Sequence, residues 1–391
     1  MSFFKKNLFK LSLVLSVACF VNTGLSAEKA VDLKKGFQFK TVKKVKTTSV
    51  KNQAKTGTCW TFATNSFMET EVLRLGGEPL DISEMFVVRE TYPLKAAKYV
   101  RLHGNATLGS GGLSGDVMRV VREFGVVPES VYTGEPYGAT KHNHIEMDAV
   151  LKASLDAVIH NRSHKISKAW PKMVEGILNA YLGEIPDTFV YEGKTYTPKS
   201  FAKMLGIHPD DYVQLTSYTH HPFNTSFSLE IPDNWEANTY YNIPLDELMQ
   251  VIDTSIDKGF SVAWDGDVSE KSFSKKKGVA ILPVKEWDDR SKEEKDAICD
   301  APEPEIKVTQ KIRQEAFDNY TSTDDHLMHI TGIAKDQDGT RYYITKNSWG
   351  TKNSKYDGYD YMSEPYVKCK TIAIMVHKDA LPKDLRARMG L

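Results

Sequence analysis

Apolar positions from Cys59 to Leu75 recur at helical spacing, with Trp60, Ala63 and Phe67 on one face and Met68, Val72 and Leu75 on an adjoining one. Gly76-Gly77 closes the run, so the pattern predicts a helix over 59–75. A second helix is predicted over DISEMFVVRETY, residues 81–92. The glycine-rich turn LGSGGLSG follows, then a short helix over 114–124 and an exit through Gly-Val-Val-Pro. Residues 133–250 read as a large helical stretch, carried by MDAVLKASLDAVI, KAWPKMVEGILNAYL and KSFAKMLG, with polar connectors such as THHPFNTS. Beyond them the pattern changes. GFSVAWDGDVS predicts a strand and turn, and the charged stretch 286–317 predicts a surface helical region. HLMHITGIAKDQDGTRYYITKNSWG predicts two antiparallel strands joined around Asp338-Gly339. Upstream of all these, residues 28–53 alternate roughly in twos and are basic, which predicts an exposed strand or arm whose lysines form a solvated face.

The first 27 residues follow a different logic. Lys5, Lys6 and Lys10 precede the apolar run Leu11–Val21, and a small residue stands at Ala27. A charged start, a short apolar stretch and a small residue at the cleavage point predict an export signal, cut after Ala27. The run is too short for the roughly 20 apolar residues that span a bilayer. Cys19 offers a lipoprotein anchor as the alternative, for which Ser16 is a poor match. The expectation is a soluble exported protein, periplasmic or secreted, with no membrane span once the signal is removed.

Composition narrows the picture further. The chain has 391 residues, 41% hydrophobic and 26% charged, which suits one large globular domain or two lobes over residues 28–391. Lys+Arg and Asp+Glu both total 51, so no bulk field points to nucleic acid or an anionic membrane. Selectivity therefore belongs to a site. Without the signal, Cys59, Cys299 and Cys369 remain, an odd number that leaves at least one thiol unpaired or bridged to another chain. Cys299 and Cys369 are the pair available for a bridge, which spacing alone does not establish.

Cys59 stands at the front of the predicted 59–75 helix. Unpaired N–H groups and positive potential there favour a thiolate, the attacking form of cysteine. Gln53, six residues upstream, together with the Cys59 backbone N–H, could hold the oxyanion formed when a carbonyl is attacked. The competing view makes Cys59 a small buried apolar residue. A nucleophile needs a base and a group that orients the base. Of the 11 histidines, His142, His144, His160, His164, His220 and His221 lie in the helical stretch. His160 and His164 have i,i+4 spacing, but no HExxH or suitably placed carboxylate accompanies them, so no metal site or cofactor is expected. His326 and His329 fall on the first strand of the hairpin and Asn347 at the end of the second, where antiparallel pairing brings far ends together. An odd separation puts the two histidines on opposite faces, so only one can look at Asn347.

These segments resemble the papain family. QAKTGTCWTFATN (Gln53–Asn65) looks like its nucleophile segment, GSGGLSG like its glycine turn, and KNSWG (Lys346–Gly350), followed by GYDYM, like its asparagine segment. In that family the base stands six residues before a glycine, which His326 and Gly332 satisfy and His329 does not. The bridging cysteines of many papains are absent, Thr56 and Ser110 standing nearby instead, and over two hundred residues separate Gly112 from His326. With TGTCW, GFSVAWDGDVS and VHKDALP, the chain is most similar to the bleomycin hydrolase and aminopeptidase C group. The resemblance implies an α+β fold of two lobes, helical and β-rich, with a helical insertion over about 133–250. It also implies a Cys59–His326–Asn347 site with Gln53 at the oxyanion, Gly111 and Gly112 against the substrate, and Trp349 shielding the His–Asn bond. Peptide substrates, and a hexameric ring as in that group, follow from the same likeness.

Two departures shape the expectation. Members of the group use a C-terminal tail in the cleft to meet the substrate's free amine, whereas HKDALPKDLRARMGL ends soon after the predicted last helix, so Leu391 is expected to stop short of Cys59. An open cleft would permit endopeptidase cleavage. The export signal is the second departure, since familiar members are cytoplasmic. A non-catalytic peptide-binding scaffold and acyl transfer to an amine are the other readings of the same residues.

Overall fold

The computed structural model describes residues 36–163 and 165–391. The expected export signal with Cys19, and His164 with its metal pairing, lie outside the described residues.

After β1 (Lys40–Lys44) the chain enters α1 (Cys59–Arg74), α2 (Glu84–Arg101) and α3 (Ser114–Glu123). α4 (Ile145–Ile159) and α5 (Trp170–Leu182) follow, then the hairpin β2 (Phe189–Tyr191) and β3 (Lys194–Tyr196), and α6 (Pro198–Met204). Next come β4 (Tyr212–Thr216), β5 (Ser226–Ser228), β6 (Thr239–Asn242) and α7 (Leu245–Asp257). β7 (Val262–Gly266), β8 (Phe273–Ser274), β9 (Val279–Ala280), α8 (Lys292–Asp296) and α9 (Gln310–Asp318) lead to the long hairpin of β10 (His326–Lys335) and β11 (Arg341–Lys346). β12 (Tyr359–Ser363), α10 (Glu364–Lys370), β13 (Thr371–His377) and α11 (Lys383–Arg388) complete the chain. Eleven strands form one sheet in the order β5-β6-β4-β13-β7-β10-β11-β12-β9-β8, with β1 added beside β10.

Alternation along the central strands divides the interior in two. Ala263 of β7, Leu327 of β10 and Ala373 and Met375 of β13 face a core shared with Trp60, Phe67 and Leu113 of the helical side. Val262, Trp264, Met328 and Ile374 face a second core with Leu248 and Ile252 of α7 and Leu385 of α11. α1 thus lies against one face of the sheet and α7 and α11 against the other.

α1 is buried around nearly its whole circumference, as befits a helix between a sheet and other helices. Some of its buried polar groups reach across to neighbouring elements: Asn65 Nδ2 donates to the Ile82 carbonyl at 3.1 Å, and Ser66 Oγ lies 2.9 Å from His329 Nδ1. Leu75, expected on an apolar face, is 53% exposed because the helix has already ended beneath it. α2 is longer than expected. It carries Pro93 inside the helix and continues to Arg101, held by the burial of Ala96, Tyr99 and Val100.

Residues 133–250 are more mixed than their apolar spacing suggested. Helix predominates through Met204, but β4 pairs with β13 and β6, so residues 212–242 belong to the main sheet. The strands there are three to five residues long, and β13, the strand that ties them into the main sheet, is distant in sequence, which leaves little local signal. Lys51 also departs from the solvated face. Its Nζ is 2.8 Å from Glu69 and 2.7 Å from Glu84, and it also pairs with Asp81. Among the described residues, no helix is long and apolar enough to cross a membrane.

Candidate active site

Cys59 is the first residue of α1, placed there by Thr58 at the N-cap. The thiol is buried, and the Leu327 backbone N–H of β10 is directed at its sulfur. Burial pushes the thiol up to about 12; the Leu327 N–H works against that, while the carboxylates of Asp324, Asp265 and Asp233 add to it. Cys299 and Cys369 are likewise buried thiols, unbonded to each other.

Next to Leu327, His326 begins β10. Its Nε2 lies 2.9 Å from Asn347 Oδ1, while His329 turns to the opposite side and meets Ser66 and the edge of Phe67. The Asn347 amide is oriented from three directions. Its Nδ2 donates to Asp360 Oδ2 at 2.8 Å, and its Oδ1 accepts the Ser348 N–H at 2.7 Å as well as the imidazole. With oxygen facing the ring, His326 carries its proton on Nε2, which leaves Nδ1 as the lone-pair nitrogen. Burial is the main reason the imidazole is held down to about 4; the Asn347 bond opposes it and Lys275 reinforces it. Trp349 stacks on the imidazole with ring centres 4.5 Å apart and planes 25° apart, and Lys275 Nζ lies over the Trp349 ring.

The neutral forms favoured by burial are compatible with a proton shared between thiol and imidazole. Moving it from Sγ to Nδ1 changes no net charge, so the dry setting penalises the exchange far less than it penalises either ion alone.

Gln53 joins the two halves of the site. Its backbone N–H donates to the Ser348 carbonyl at 2.8 Å, and its Oε1 accepts from Ser348 Oγ at 2.5 Å. Nε2 gives one hydrogen to the Thr56 carbonyl at 2.8 Å; the second remains for another acceptor. Ala54, next along, adopts a left-handed backbone with φ of 53°.

The glycine turn is bound to α1 by Trp60 Nε1, which donates to the Ser110 carbonyl at 2.8 Å. Close approach explains the glycines. A Cβ on Gly112 would lie 2.9 Å from the Trp60 ring, and one on Gly111 would run into the Asp233 carboxylate. Lys95 Nζ supports the turn from below, 2.5 Å from the carbonyls of Gly109 and Gly111.

Asp360, Ser348 and Leu327 are site residues that sequence reasoning missed. Asp360 lies within GYDYM, and period-two alternation places Asp360 and Met362 on a buried face, a carboxylate among apolar neighbours that could have drawn attention. Elsewhere, His220, His221 and Glu230 form one grouping of metal-ligating types among the described residues, on an exposed loop, with the histidine Nε2 atoms 3.2 and 2.8 Å from Glu230. Glu69, Asp81 and Glu84 form another, and the Lys51 ammonium already pairs with all three.

Residues 97–390 match the Peptidase C1-like family, and the chain belongs to that family. The match includes His326 and Asn347 and begins after α1. The chain is 23% identical over 378 residues to aminopeptidase G of Lactobacillus delbrueckii subsp. lactis, covering 86% of this chain and 83% of that protein. It is 23% identical to aminopeptidase C of Listeria innocua, covering 87% and 82%. With the mitochondrial cysteine proteinase 1 of Saccharomyces cerevisiae the identity is 23%, over 90% and 79% of the two chains. The crystal structure of pepw from Lactobacillus rhamnosis HN001 superposes with a TM-score of 0.70 at 20% identity, covering 90% of this chain and 84% of that one. The α+β, papain-like fold implied by the motifs is the fold of this chain, and the chain is a papain-like cysteine peptidase.

Proposed function

We propose that this member of the Peptidase C1-like family is an exported cysteine aminopeptidase that uses Cys59 as nucleophile, His326 as base and acid, and Asn347 to orient the imidazole. The observation that carries the proposal is the 2.9 Å His326–Asn347 bond, set one residue from the N–H that faces the Cys59 sulfur.

The chemistry follows from the proton positions. His326 Nδ1 takes the Sγ proton as sulfur attacks the peptide carbonyl, forming the C–S bond and placing a negative charge on oxygen. The Cys59 N–H and the remaining Nε2–H of Gln53 donate to that oxyanion. Collapse breaks the C–N bond, with Nδ1–H passing to the departing amine and a thioester remaining. Water then attacks the thioester, His326 takes its proton, and the thiol is restored as the acid departs. Trp349 keeps bulk water from the imidazole–amide bond.

The names of the Lactobacillus and Listeria relatives favour an aminopeptidase over the other registers. One observation favours an endopeptidase alternative. Leu385 of α11 packs in the core across the sheet from Trp60, and Arg388 pairs with Glu247 of α7, so residues 383–391 are committed away from Cys59. Export rests on the pattern in residues 1–27.

A pair of fluorogenic peptides, one with a free amine and one N-acetylated, separates the registers. The proposal expects hydrolysis of the free-amine peptide only, and its loss in Cys59→Ala. Preference for the acetylated peptide would install the endopeptidase reading, and activity in Cys59→Ala would remove the cysteine mechanism.

A further inference from the structure

Beside the thiol lies a row of carboxylates that the proposed chemistry does not use. Asp265 is only 5% exposed, yet among the described residues no N–H or hydroxyl donor reaches either of its carboxylate oxygens. It pairs in register with Leu327 of β10 and Ala373 of β13. It therefore shares their face of the sheet, the one covered by the core of Trp60 and Leu113. There it lines a narrow crevice with Leu113, Ser114, Tyr240 and Leu327.

Asp324, two residues before His326, is within hydrogen-bond reach of Asp265, and its Oδ2 is buried without a donor. Asp324 also receives the Asp233 backbone N–H, while the Asp233 carboxylate sits against Gly111 of the glycine turn. Asp324 thus stands between Asp233, at the glycine turn, and Asp265, and of the three it acts most strongly on the thiol. All three carboxylates act on Cys59 in the same direction. Among the described residues Lys95 faces Asp233 from the helical side, and it is already committed to the Gly109 and Gly111 carbonyls.

Burial and the neighbouring carboxylates hold Asp265 well above the usual carboxylate range, so the Asp265–Asp324 pair keeps a proton until something positive meets it. Among the described residues these three are not gathered tightly enough to form a metal-ligating cluster. A string of acceptors fits a nitrogen cation with several N–H donors better than a point ion.

We infer that Asp265, Asp324 and Asp233 form a subsite beside Cys59 that takes a positively charged nitrogen of the substrate, either the α-ammonium of a free amino end or the ammonium or guanidinium of a basic side chain. The inference rests on the peptidase reading for its substrate but not for its binding chemistry. The cation takes the place of the proton held between Asp265 and Asp324, and the bound molecule covers the Cys59 sulfur.

The test measures how probe amides slow iodoacetamide alkylation of Cys59, which requires no turnover. Alaninamide carries an α-ammonium, N-acetyl-lysinamide a side-chain cation, and N-acetylalaninamide neither. In the wild-type chain at least one cationic probe protects Cys59 at tenfold lower concentration than the neutral one, and which one does so identifies the source of the nitrogen. In Asp265→Asn and in Asp324→Asn that tenfold preference disappears. Asp324 is only partly buried, so Asp324→Asn keeps the test usable if Asp265→Asn fails to fold. Equal protection by charged and neutral probes, or a preference retained in a folded variant, overturns the inference. A further arm compares kcat/KM for matched cationic and neutral peptides, where the ratio falls at least tenfold in either variant. Absence of hydrolysis by the wild-type chain would count against the peptidase reading, while the protection result decides the subsite.

Discussion

Asn347 presents its carbonyl oxygen, not its amide nitrogen, to His326, because Asp360 accepts from Nδ2 at 2.8 Å on the far side. That arrangement selects the imidazole tautomer and leaves Nδ1 free to accept a proton from a thiol. Asp360 is a positioning residue, acting on the chemistry through Asn347. Replacing it by Ala removes the preference for one amide orientation and lowers kcat roughly tenfold, about 1.4 kcal/mol of barrier, with KM little changed. Asp360→Asn restores most of the loss, since its side-chain carbonyl can still accept from Nδ2. Steady-state kinetics of the two variants check this, and equal losses in both would count against it.

The glycine turn gives a second expectation. Gly112→Ala places a methyl 2.9 Å from the Trp60 ring, which is itself fixed by its bond to Ser110. The turn must move, at a cost of about 1–3 kcal/mol in stability and a fall in kcat/KM of at least tenfold. Thermal unfolding and peptide kinetics on the same preparation check both halves.

Lys51 is predicted to matter more for stability than its place in a basic stretch suggests. Against its burial, the carboxylates of Glu84, Glu69 and Asp81 hold it protonated well above the usual range. Lys51→Met leaves Glu69 and Glu84 buried without their cation and costs about 3–5 kcal/mol, read from urea unfolding at pH 7. A loss below 1 kcal/mol would show that the acids relax to water.

His144 gives a pH prediction whose sign is fixed. It is buried, neither ring nitrogen has a partner among the described residues, and burial with the nearby His142 holds it down to about 4. The unfolded chain takes up that proton near pH 6.5, so the stability contributed by the neutral ring is present above 6.5 and is lost as pH falls toward 4. Between pH 7 and pH 5 the wild-type chain therefore loses about 2 kcal/mol that His144→Leu does not lose. Urea titrations at the two pH values should show the gap between the proteins shift by that amount, and parallel curves would refute it.

How much of this was legible in the sequence depended on whether the signal was local. The 59–75 helix, the hairpin around Asp338-Gly339 and the parity of His326 and His329 rest on periodicity and turn chemistry, and the structure has each of them. β4 was hidden in a stretch dominated by helical spacing because its partner β13 lies far away in the chain, and β6 because it spans only four residues. In sequence Lys51 belongs to a solvated basic stretch, because its carboxylate partners at 69, 81 and 84 are brought to it only by tertiary folding. Asp265 was hidden for a related reason: a carboxylate in a strand pattern shows its chemistry only when its neighbours across the sheet are known.

The central claim is that the Cys59 sulfur and the His326 imidazole act as one proton-sharing unit. The rate of Cys59 alkylation by iodoacetamide between pH 5 and pH 10, with the labelled site read by peptide mass spectrometry, tests it directly. At pH 6 the wild-type chain should react at Cys59 at least tenfold faster than His326→Ala, with the two rates converging as the pH becomes alkaline. Identical pH–rate curves for the two proteins, or modification of Cys299 or Cys369 ahead of Cys59, would contradict it.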